Sequence, residues 1–290
     1  MSWTSADLPS FAGRSVIVTG ANSGLGLVTA RELARVEARV ILACRDIDRG
    51  EAAASSMSGD VQVRRLDLQS LASVQDFADS VAVVDVLINN AGIMAVPYAV
   101  TRDGFESQIG VNHLGHFALT NLLLPRISDR VVTVSSMAHL AGRISLKDLN
   151  WKARPYSAWL AYGQSKLANL MFTYDLQRRL AAAKAKTIAV AAHPGVAATE
   201  LVRHVPGAGL PGVSWLSGRL LNTSELGALP TLRAATDPAV RGGQYYGPDG
   251  FRELRGYPKL VTSSAQSHDT AVQERLWSVS EELTGVTYPV

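Results

Sequence analysis

Two side chains capable of acid–base chemistry lie four residues apart in the segment AYGQSK, the phenol of Tyr162 and the ammonium of Lys166. On a helix this spacing places both side chains on one face, one turn apart. A cation beside a phenol favours the phenolate, and a tyrosine tuned in this way can exchange a proton with the oxygen of a carbonyl or an alcohol. An isolated pair with this spacing usually lies on a solvated helix face without a function. Whether Tyr162 and Lys166 are catalytic therefore depends on the motifs around them.

Small polar residues stand where several apolar runs end. Ser135 and Ser136 close the run VTVSS, and either hydroxyl could hydrogen-bond a substrate oxygen. NNAG at 89–92 and HPG at 193–195 follow two further runs, and Asn112 begins a helical segment. Since ligands bind outside the carboxyl ends of the strands in an open parallel sheet, these residues are expected to converge on one site.

The segment TGANSGLG at 19–26 joins the first apolar run to a helical segment. Its glycines permit a tight turn and a close approach of the backbone to a pyrophosphate, and the helix N-terminus offers free N–H groups and a positive dipole end. Asn22 and Ser23 could add side-chain hydrogen bonds. An ordinary glycine turn is the alternative, but a strand before and a helix after it are the context that a dinucleotide loop requires.

The end of the second apolar run, VILACRD, is where a dinucleotide-binding protein reads the adenosine ribose. An acidic residue there binds the 2′-hydroxyl of NAD, whereas an arginine accommodates the 2′-phosphate of NADP. Arg45 follows the terminal Cys44, and Asp46 comes one residue later, where we expect it to face away. The pattern therefore favours NADP over NAD, with a solvated surface charge as the other interpretation of Arg45.

Apolar runs rich in Val and Ile alternate with helical patterns through the first two-thirds of the chain. Continuous apolar runs are typical of strands buried on both faces of a parallel sheet, and their alternation with helices predicts βαβ units. The fold class is therefore α/β, a Rossmann-type doubly wound parallel sheet with helices on both faces. The predicted strands are 15–19, 39–44, 61–66, 85–88, 130–135 and 187–192, and the predicted helices are 24–36, 48–58, 70–80, 104–124, 159–183 and 265–283.

Composition excludes several classes of protein. Of the 290 residues 47% are hydrophobic and 18% are charged, which excludes a disordered chain, and a net charge of +3 gives no argument for nucleic acid. The single cysteine, Cys44, fits a reducing compartment. No secretory signal, apolar stretch of membrane-spanning length or metal-ligand spacing is present, so we expect a cytoplasmic protein without a membrane span or a metal.

These motifs together resemble the short-chain dehydrogenase/reductase family over roughly residues 14–246. In detail, CRD, VSSMAH, AYGQSKLANLMFTYDLQRRL and HPG are similar to the retinol dehydrogenase-like and WW-domain oxidoreductase-like branch. The resemblance implies that Asn112, Ser136, Tyr162 and Lys166 are catalytic, with Ser136 preferred to Ser135 because the family's serine is typically the second of such a pair. The cofactor-binding residues that it implies are Gly20, Asn22, Ser23, Gly24, Leu25, Gly26, Arg45, Asp67 at the adenine, Leu68, Asn89, Ala91, Gly92, Tyr162, Lys166, Pro194, Gly195, and Val196 and Thr199 at the nicotinamide amide.

Two functions remain open at this point. One is an NADP-dependent oxidoreductase that acts on a hydrophobic carbonyl or alcohol, and the other is a dinucleotide-binding sensor or scaffold without turnover. The complete set of proton-transfer residues favours the enzyme. Residues 203–223, glycine-rich and apolar, predict a lid over such a substrate. The segment 140–158, including Leu149 and Trp151, is the candidate for the opposite wall. The alternative is that these apolar residues pack permanently as core or as a dimer interface.

We expect residues 1–290 to form a single domain, with a cofactor-binding part at about 14–200, the lid at 203–223 and a C-terminal region at 224–290. An apolar stripe on the helix that carries Tyr162 suggests a homodimer or homotetramer, although the same stripe could simply cover the sheet. The residues of this stripe are Leu167, Leu170, Tyr174 and Leu180.

Overall fold

The computed structural model describes residues 2–196 and 222–289. Within them, eight strands form one sheet in the order β3-β2-β1-β4-β5-β6-β7-β8. Neighbouring strands are parallel except for β7 and β8, which are antiparallel. The strands are β1 (Ser15–Thr19), β2 (Arg39–Cys44), β3 (Val61–Arg65), β4 (Val84–Asn89), β5 (Ile127–Val134), β6 (Ile188–Ala192), β7 (Tyr245–Pro248) and β8 (Pro258–Leu260).

The predicted strands are confirmed: 15–19 and 39–44 coincide with β1 and β2, and the other four lie within three residues of the observed bounds. Buried apolar runs identify most of these strands because both sheet faces are covered, and the edge strand β3 is only partly buried. The sequence analysis missed β7 and β8, which are short and contain prolines that weaken a strand pattern.

Eight α-helices surround this sheet in the described residues, and they lie near their predicted positions, with one addition. The sequence analysis did not predict helix α7, because Pro230 lies inside it and proline is disfavoured in helix interiors. Within the two described ranges no helix has both the length and the apolar character that a membrane span needs, and the cytoplasmic location stays a prediction. The helices are α1 (Gly24–Arg35), α2 (Ile47–Ala54), α3 (Leu71–Asp79), α4 (Ser107–Ile109), α5 (Gly115–Leu123), α6 (Ala158–Ala182), α7 (Ser224–Thr236) and α8 (Thr270–Thr284).

The predicted helix at 104–124 is interrupted. A π-turn, Gly110–Leu114, separates α4 from α5, and the N–H of Gly115 donates to the carbonyl of Gly110. Such turns are rare in proteins, and those that occur often lie at functional sites. The turn contains Asn112, which is completely buried.

The sheet separates two apolar clusters. On one face α1 and α7 pack through residues such as Leu33 and Leu232, and on the other α3, α5 and α6 pack through Phe77, Phe117 and Phe172. Helices on both faces of a mostly parallel sheet confirm the predicted fold class.

The apolar stripe on α6 packs within the chain. Its four residues are all at most 9% exposed. Leu180 lies in the cluster between the sheet and α8, where Trp277 stacks on Phe172 with ring centroids 5.6 Å apart. The stripe therefore covers the chain's own core, and it provides no argument for a dimer.

Candidate active site

A cleft of about 730 Å³ opens where β1, β4, β5 and β6 end. Its walls include the glycine loop after β1, the end of β2, and Tyr162 and Lys166 of α6. The volume lies in the range of small-molecule and cofactor sites, and its position is the one that open α/β sheets use.

The glycine loop has the shape that a dinucleotide requires. Gly20 and Gly24 have left-handed φ angles of 65° and 56°. A Cβ at Gly26 would lie 2.5 Å from both the carbonyl oxygen of Gly20 and Nδ2 of Asn90, so no side chain fits there. The loop thus leaves the N-terminus of α1 open to the cleft, and the residues present fit a pyrophosphate.

Helix α6 brings Tyr162 and Lys166 to the same cleft. Both residues are 4% exposed, and the ammonium lies 5.7 Å from the centre of the phenol ring. Lys166 Nζ donates to the carbonyl of Val134 at 3.1 Å. Close packing holds this end of α6, because a Cβ at Gly163 would come within 2.8 Å of the carbonyl oxygen of Ala138. The geometry places a buried cation beside a phenol that reaches the cleft.

The two serines after β5 differ in their hydrogen bonds. Ser135 lines the cleft, but its hydroxyl donates to the carbonyl of Lys166 at 2.8 Å, which uses its one proton. Ser136 accepts from the N–H of Ala138 at 3.2 Å, and its proton has no acceptor among the described residues. Ser135 is thus in the cleft wall with its proton already donated, whereas Ser136 is not in the wall but keeps its proton, and the choice of Ser136 as the catalytic serine stays a prediction.

The side chain of Asn112 is fully engaged beneath the cleft. Its Oδ1 accepts from the N–H of Ile93 at 2.8 Å, and its Nδ2 donates to the carbonyl of Ile93 and to Ser165 Oγ, each at 2.9 Å. A Cβ on Gly92 would lie 3.2 Å from Asn112 Oδ1 and 3.4 Å from Lys166 Nζ. Asn112 therefore anchors the segment after β4 opposite the lysine.

Charged residues surround the adenosine end of the cleft. Arg45 and Asp46 line it, together with Arg49 from the first turn of α2. We expected Asp46 to face away, and this expectation was wrong: it lies in the cleft wall, where its carboxylate caps α2 by accepting the N–H of Arg49 at 3.1 Å. Asp67 lines the same end and is 5% exposed.

Of the cofactor-binding residues named from the resemblance, fourteen line this cleft, three do not, and a further one is outside the described part of the chain. Asn89 points below the floor, where its Nδ2 donates to Thr120 Oγ1 at 2.9 Å. Gly195 packs under the carbonyl of Leu254, and the N–H and carbonyl of Val196 bond to Leu254 and Asn222, each at 2.9 Å. The remaining residue, Thr199, lies outside the described residues. Those in the cleft wall are Gly20, Asn22, Ser23, Gly24, Leu25, Gly26, Arg45, Asp67, Leu68, Ala91, Gly92, Tyr162, Lys166 and Pro194.

The two segments predicted to enclose the substrate, the lid at 203–223 and the wall at 140–158, are not found in the cleft wall among the described residues. Residues 203–221 of the lid lie outside the described residues, and Thr223 caps α7. Leu149 and Trp151 are 3% and 7% exposed and do not line the cleft. Leu149 packs in an apolar cluster with Phe105, so for these two residues the alternative of permanent core was right.

Several residues of the cleft wall were not named as site residues in the sequence analysis, among them the polar residues Arg49, Gln69 and Asn90 and the apolar residues Ala43, Leu66, Ile93, Met94, Val96, Val111 and Val134. The N–H of Asn90 donates to Thr19 Oγ1 at 2.9 Å, and its Nδ2 donates to the Thr19 carbonyl at 2.8 Å, so it joins the ends of β4 and β1. The sequence offered one indication for Arg49. A cation in the first turn of a helix is unfavourable beside the positive end of the helix dipole, so its presence there indicates a binding role.

Comparison with known proteins agrees with this geometry. The family model for short chain dehydrogenases matches residues 14–207. Retinol dehydrogenase 13 from Homo sapiens is 44% identical over 299 aligned residues, which cover 96% of this chain and 86% of that protein.

Solved structures are similar as well. The crystal structure of an uncharacterized protein from Mycobacterium paratuberculosis is 56% identical over 100% of both chains, with a TM-score of 0.89. The active-site complex of RhlG with NADP from Pseudomonas aeruginosa is 25% identical, covers 81% of this chain and 94% of its own, and has a TM-score of 0.63. With a family model that spans most of the chain and relatives this similar, the chain belongs to the short chain dehydrogenase family and is an oxidoreductase similar to the retinol dehydrogenases.

Proposed function

We propose that the protein is an NADP(H)-dependent oxidoreductase that interconverts a hydrophobic carbonyl compound and its alcohol. The observation that carries this proposal is the meeting of a dinucleotide-type glycine loop and the pair Tyr162 and Lys166 in one cleft. A sensor or scaffold would need the loop but not the buried lysine beside the phenol. The chain acts as one catalytic domain, since β7 and β8 from its C-terminal region extend the same sheet.

The residues divide the chemistry between them. A bound nicotinamide dinucleotide supplies the hydride that reduces the carbonyl carbon. Tyr162 gives a proton to the carbonyl oxygen, so that hydride and proton together form the alcohol, and in oxidation the phenolate takes the proton back. Ser136 orients the same oxygen through its hydroxyl. Lys166 stabilises the phenolate and holds the ribose, and Asn112 supports the return of protons to Tyr162.

The simplest test is a panel of aldehydes and ketones offered with NADPH and followed at the nicotinamide absorbance. Steady turnover of at least one apolar carbonyl compound supports the proposal. Tight NADPH binding with no turnover across the panel, in either direction, favours the sensor instead.

The preference for NADP rests on Arg45 and Arg49, two exposed cations at the adenosine end of the cleft. Each can make a charge-assisted hydrogen bond to a 2′-phosphate. We expect Arg45→Ala and Arg49→Ala each to lower kcat/KM for NADPH by roughly three- to tenfold, since exposure weakens such pairs. The kcat/KM for NADH, which has no 2′-phosphate, should change little in both variants. Steady-state kinetics with both cofactors measures the effect.

Arg275, an exposed cation on α8 outside the cleft wall, provides the matched control. Arg275→Ala should leave the ratio of the two kcat/KM values unchanged. Equal kcat/KM for NADPH and NADH in the wild-type protein contradicts the preference.

A hydrophobic substrate is favoured by apolar side chains on the catalytic side of the cleft. Ile93, Met94 and Val96 line it after β4. Trp159, 53% exposed, stands edge-on to Tyr162 with ring centroids 6.4 Å apart. The similar human protein is named for retinol, which is itself a largely apolar alcohol.

In a series of straight-chain aldehydes, kcat/KM should therefore rise with chain length by up to about fourfold per methylene, the value of a fully buried CH₂. Trp159→Ala should flatten the rise because it removes an apolar surface next to Tyr162, the proposed proton donor. As a control, Val83 is 67% exposed and precedes β4, at the opposite edge of the sheet, so Val83→Ala should leave the slope unchanged. A flat series in the wild-type protein contradicts the hydrophobic substrate.

A further inference from the structure

His116 lies between two parts of the site, and the chemistry proposed above does not use it. It is 1% exposed in α5, one turn after Asn112. One ring nitrogen, Nε2, lies 2.9 Å from Oγ1 of Thr19, the last residue of β1. The other, Nδ1, lies 3.1 Å from the carbonyl oxygen of Asn112 in the π-turn.

The partners of this ring determine which nitrogen carries the proton. Thr19 Oγ1 accepts the N–H groups of Asn90 and Ala91, each at 2.9 Å, which uses its acceptor positions and leaves its proton to donate. That proton goes to His116 Nε2 at 2.9 Å, since the carbonyl of Ile88 is farther away at 3.4 Å. The ring proton is therefore on Nδ1, which donates to the Asn112 carbonyl.

The ring also stays neutral. Burial, with a contribution from the charge on Lys166, lowers the pKa of His116 to about 4. His116 therefore neither gives nor takes a proton during turnover near neutral pH. Its contribution is to hold its two partners in place.

Those two partners belong to different functions. Thr19, through Asn90 and Ala91, holds the backbone that forms the floor of the cofactor cleft. The side chain of Asn112 is already satisfied by Ile93 and Ser165, so the main-chain carbonyl is the part of Asn112 left to take part in proton return. His116 Nδ1 is a hydrogen-bond partner of that same carbonyl, at 3.1 Å.

We propose that His116 is a positioning residue that fixes the Asn112 carbonyl through Nδ1–H and the cofactor floor through Nε2, so that one neutral ring sets both the proton path and the cofactor site. This inference rests on the function proposed above. It predicts that the two bonds of the ring control different kinetic quantities.

The tautomer can be measured on the wild-type protein without any substitution at the site. In a ¹⁵N-histidine-labelled sample near neutral pH, His116 should show a protonated Nδ1 and an unprotonated Nε2, with its signals assigned by their loss in His116→Gln. A protonated Nε2, or a doubly protonated ring, overturns the proposal.

Two substitutions separate the bonds. The amide nitrogen of Asn falls near Nδ1 of His, and the amide of Gln falls near Nε2. His116→Gln should keep the Thr19 contact and lose the Asn112 contact, which lowers kcat by roughly 10- to 100-fold while cofactor Kd changes little, as expected when a reacting group is misplaced. His116→Asn should restore most of kcat and raise cofactor Kd by roughly two- to tenfold, the value of one lost hydrogen bond.

His113, a second buried histidine in the same π-turn as Asn112, provides a matched control. It is 2% exposed, with one hydrogen bond, from Nε2 to Ser280 Oγ at 3.0 Å, on the side away from the cleft. His113→Gln should lower Tm, because it also alters a buried hydrogen-bonded histidine, but leave kcat and cofactor Kd unchanged. If both His116 variants lose kcat and cofactor affinity in parallel, or if neither changes, the positioning role is wrong.

The outcomes distinguish this inference from the proposed function. If the wild-type protein turns over substrate and Tyr162→Phe does not, but His116→Gln retains full kcat, only the role of His116 fails. If the wild-type protein shows no turnover while the Nδ1–H tautomer is observed, the proposed function fails and the hydrogen-bond assignment stands.

Discussion

Tyr162→Phe is expected to lower kcat by roughly 10²- to 10⁴-fold, the usual contribution of a positioned acid or base. The substitution removes the hydroxyl that exchanges a proton with the substrate oxygen. The phenyl ring still fills the same buried space beside Lys166, so cofactor Kd and Tm should change little. Steady-state kinetics, cofactor titration by fluorescence and thermal unfolding check the three quantities.

Tyr174, on the same helix and 9% exposed, is a matched control. Its hydroxyl lies 2.8 Å from Ser263 Oγ and outside the cleft wall. Tyr174→Phe should cost about 1 kcal/mol of stability, the usual value of a hydrogen bond, and leave kcat unchanged. Near-normal kcat in Tyr162→Phe means that another group transfers the proton.

Gly26→Ala is expected to weaken cofactor binding strongly, which is measured as a higher cofactor Kd. The added Cβ would meet the carbonyl oxygen of Gly20 at 2.5 Å, and because that atom belongs to the backbone the whole loop must shift. Overpacking of this kind costs about 1–3 kcal/mol, which corresponds to roughly one to two decades in cofactor Kd. Isothermal titration with NADPH measures it.

Gly13 separates loss of the cofactor site from a general penalty for replacing glycine. It has a φ of 78° and open space around its Cβ position, and it lies outside the cleft wall. Gly13→Ala should lower Tm through backbone strain but leave cofactor Kd unchanged. Wild-type affinity in Gly26→Ala would mean that the dinucleotide does not use this loop.

Local sequence patterns were sufficient for the parts of the site that depend on local geometry. The spacing of Tyr162 and Lys166 implied one helix face, and α6 brings both to the cleft. The glycines of residues 19–26 predicted a strand, a tight turn and a helix, which β1 and α1 provide. Five of the first six strands were recognisable because burial on both faces demands continuous apolar runs, whereas β3, VQVRR at the sheet edge, is only partly buried.

Contacts between distant segments were beyond such patterns. Asn89 and Asn90 are adjacent and chemically identical, yet only Asn90 lines the cleft, because the end of β4 turns one amide toward Thr120 and the other toward Thr19. Likewise, the backbone of Val196 was assigned to the nicotinamide amide, but partners from a later segment, Leu254 and Asn222, occupy both of its hydrogen-bonding groups.

The amino-acid sequence predicted the fold class from apolar runs that alternate with helical patterns along the chain. It predicted the dinucleotide loop and the acid–base pair from residues that lie within one or two turns of each other. The packed structure was needed to show that the stripe on α6 is core, and that Asp46 caps a helix within the cleft wall. It also decided that His116 joins Thr19, 97 residues away in the chain, to Asn112. The physical reason is that a buried polar group must find a hydrogen-bond partner wherever the packed chain provides one, and no local period records where that is.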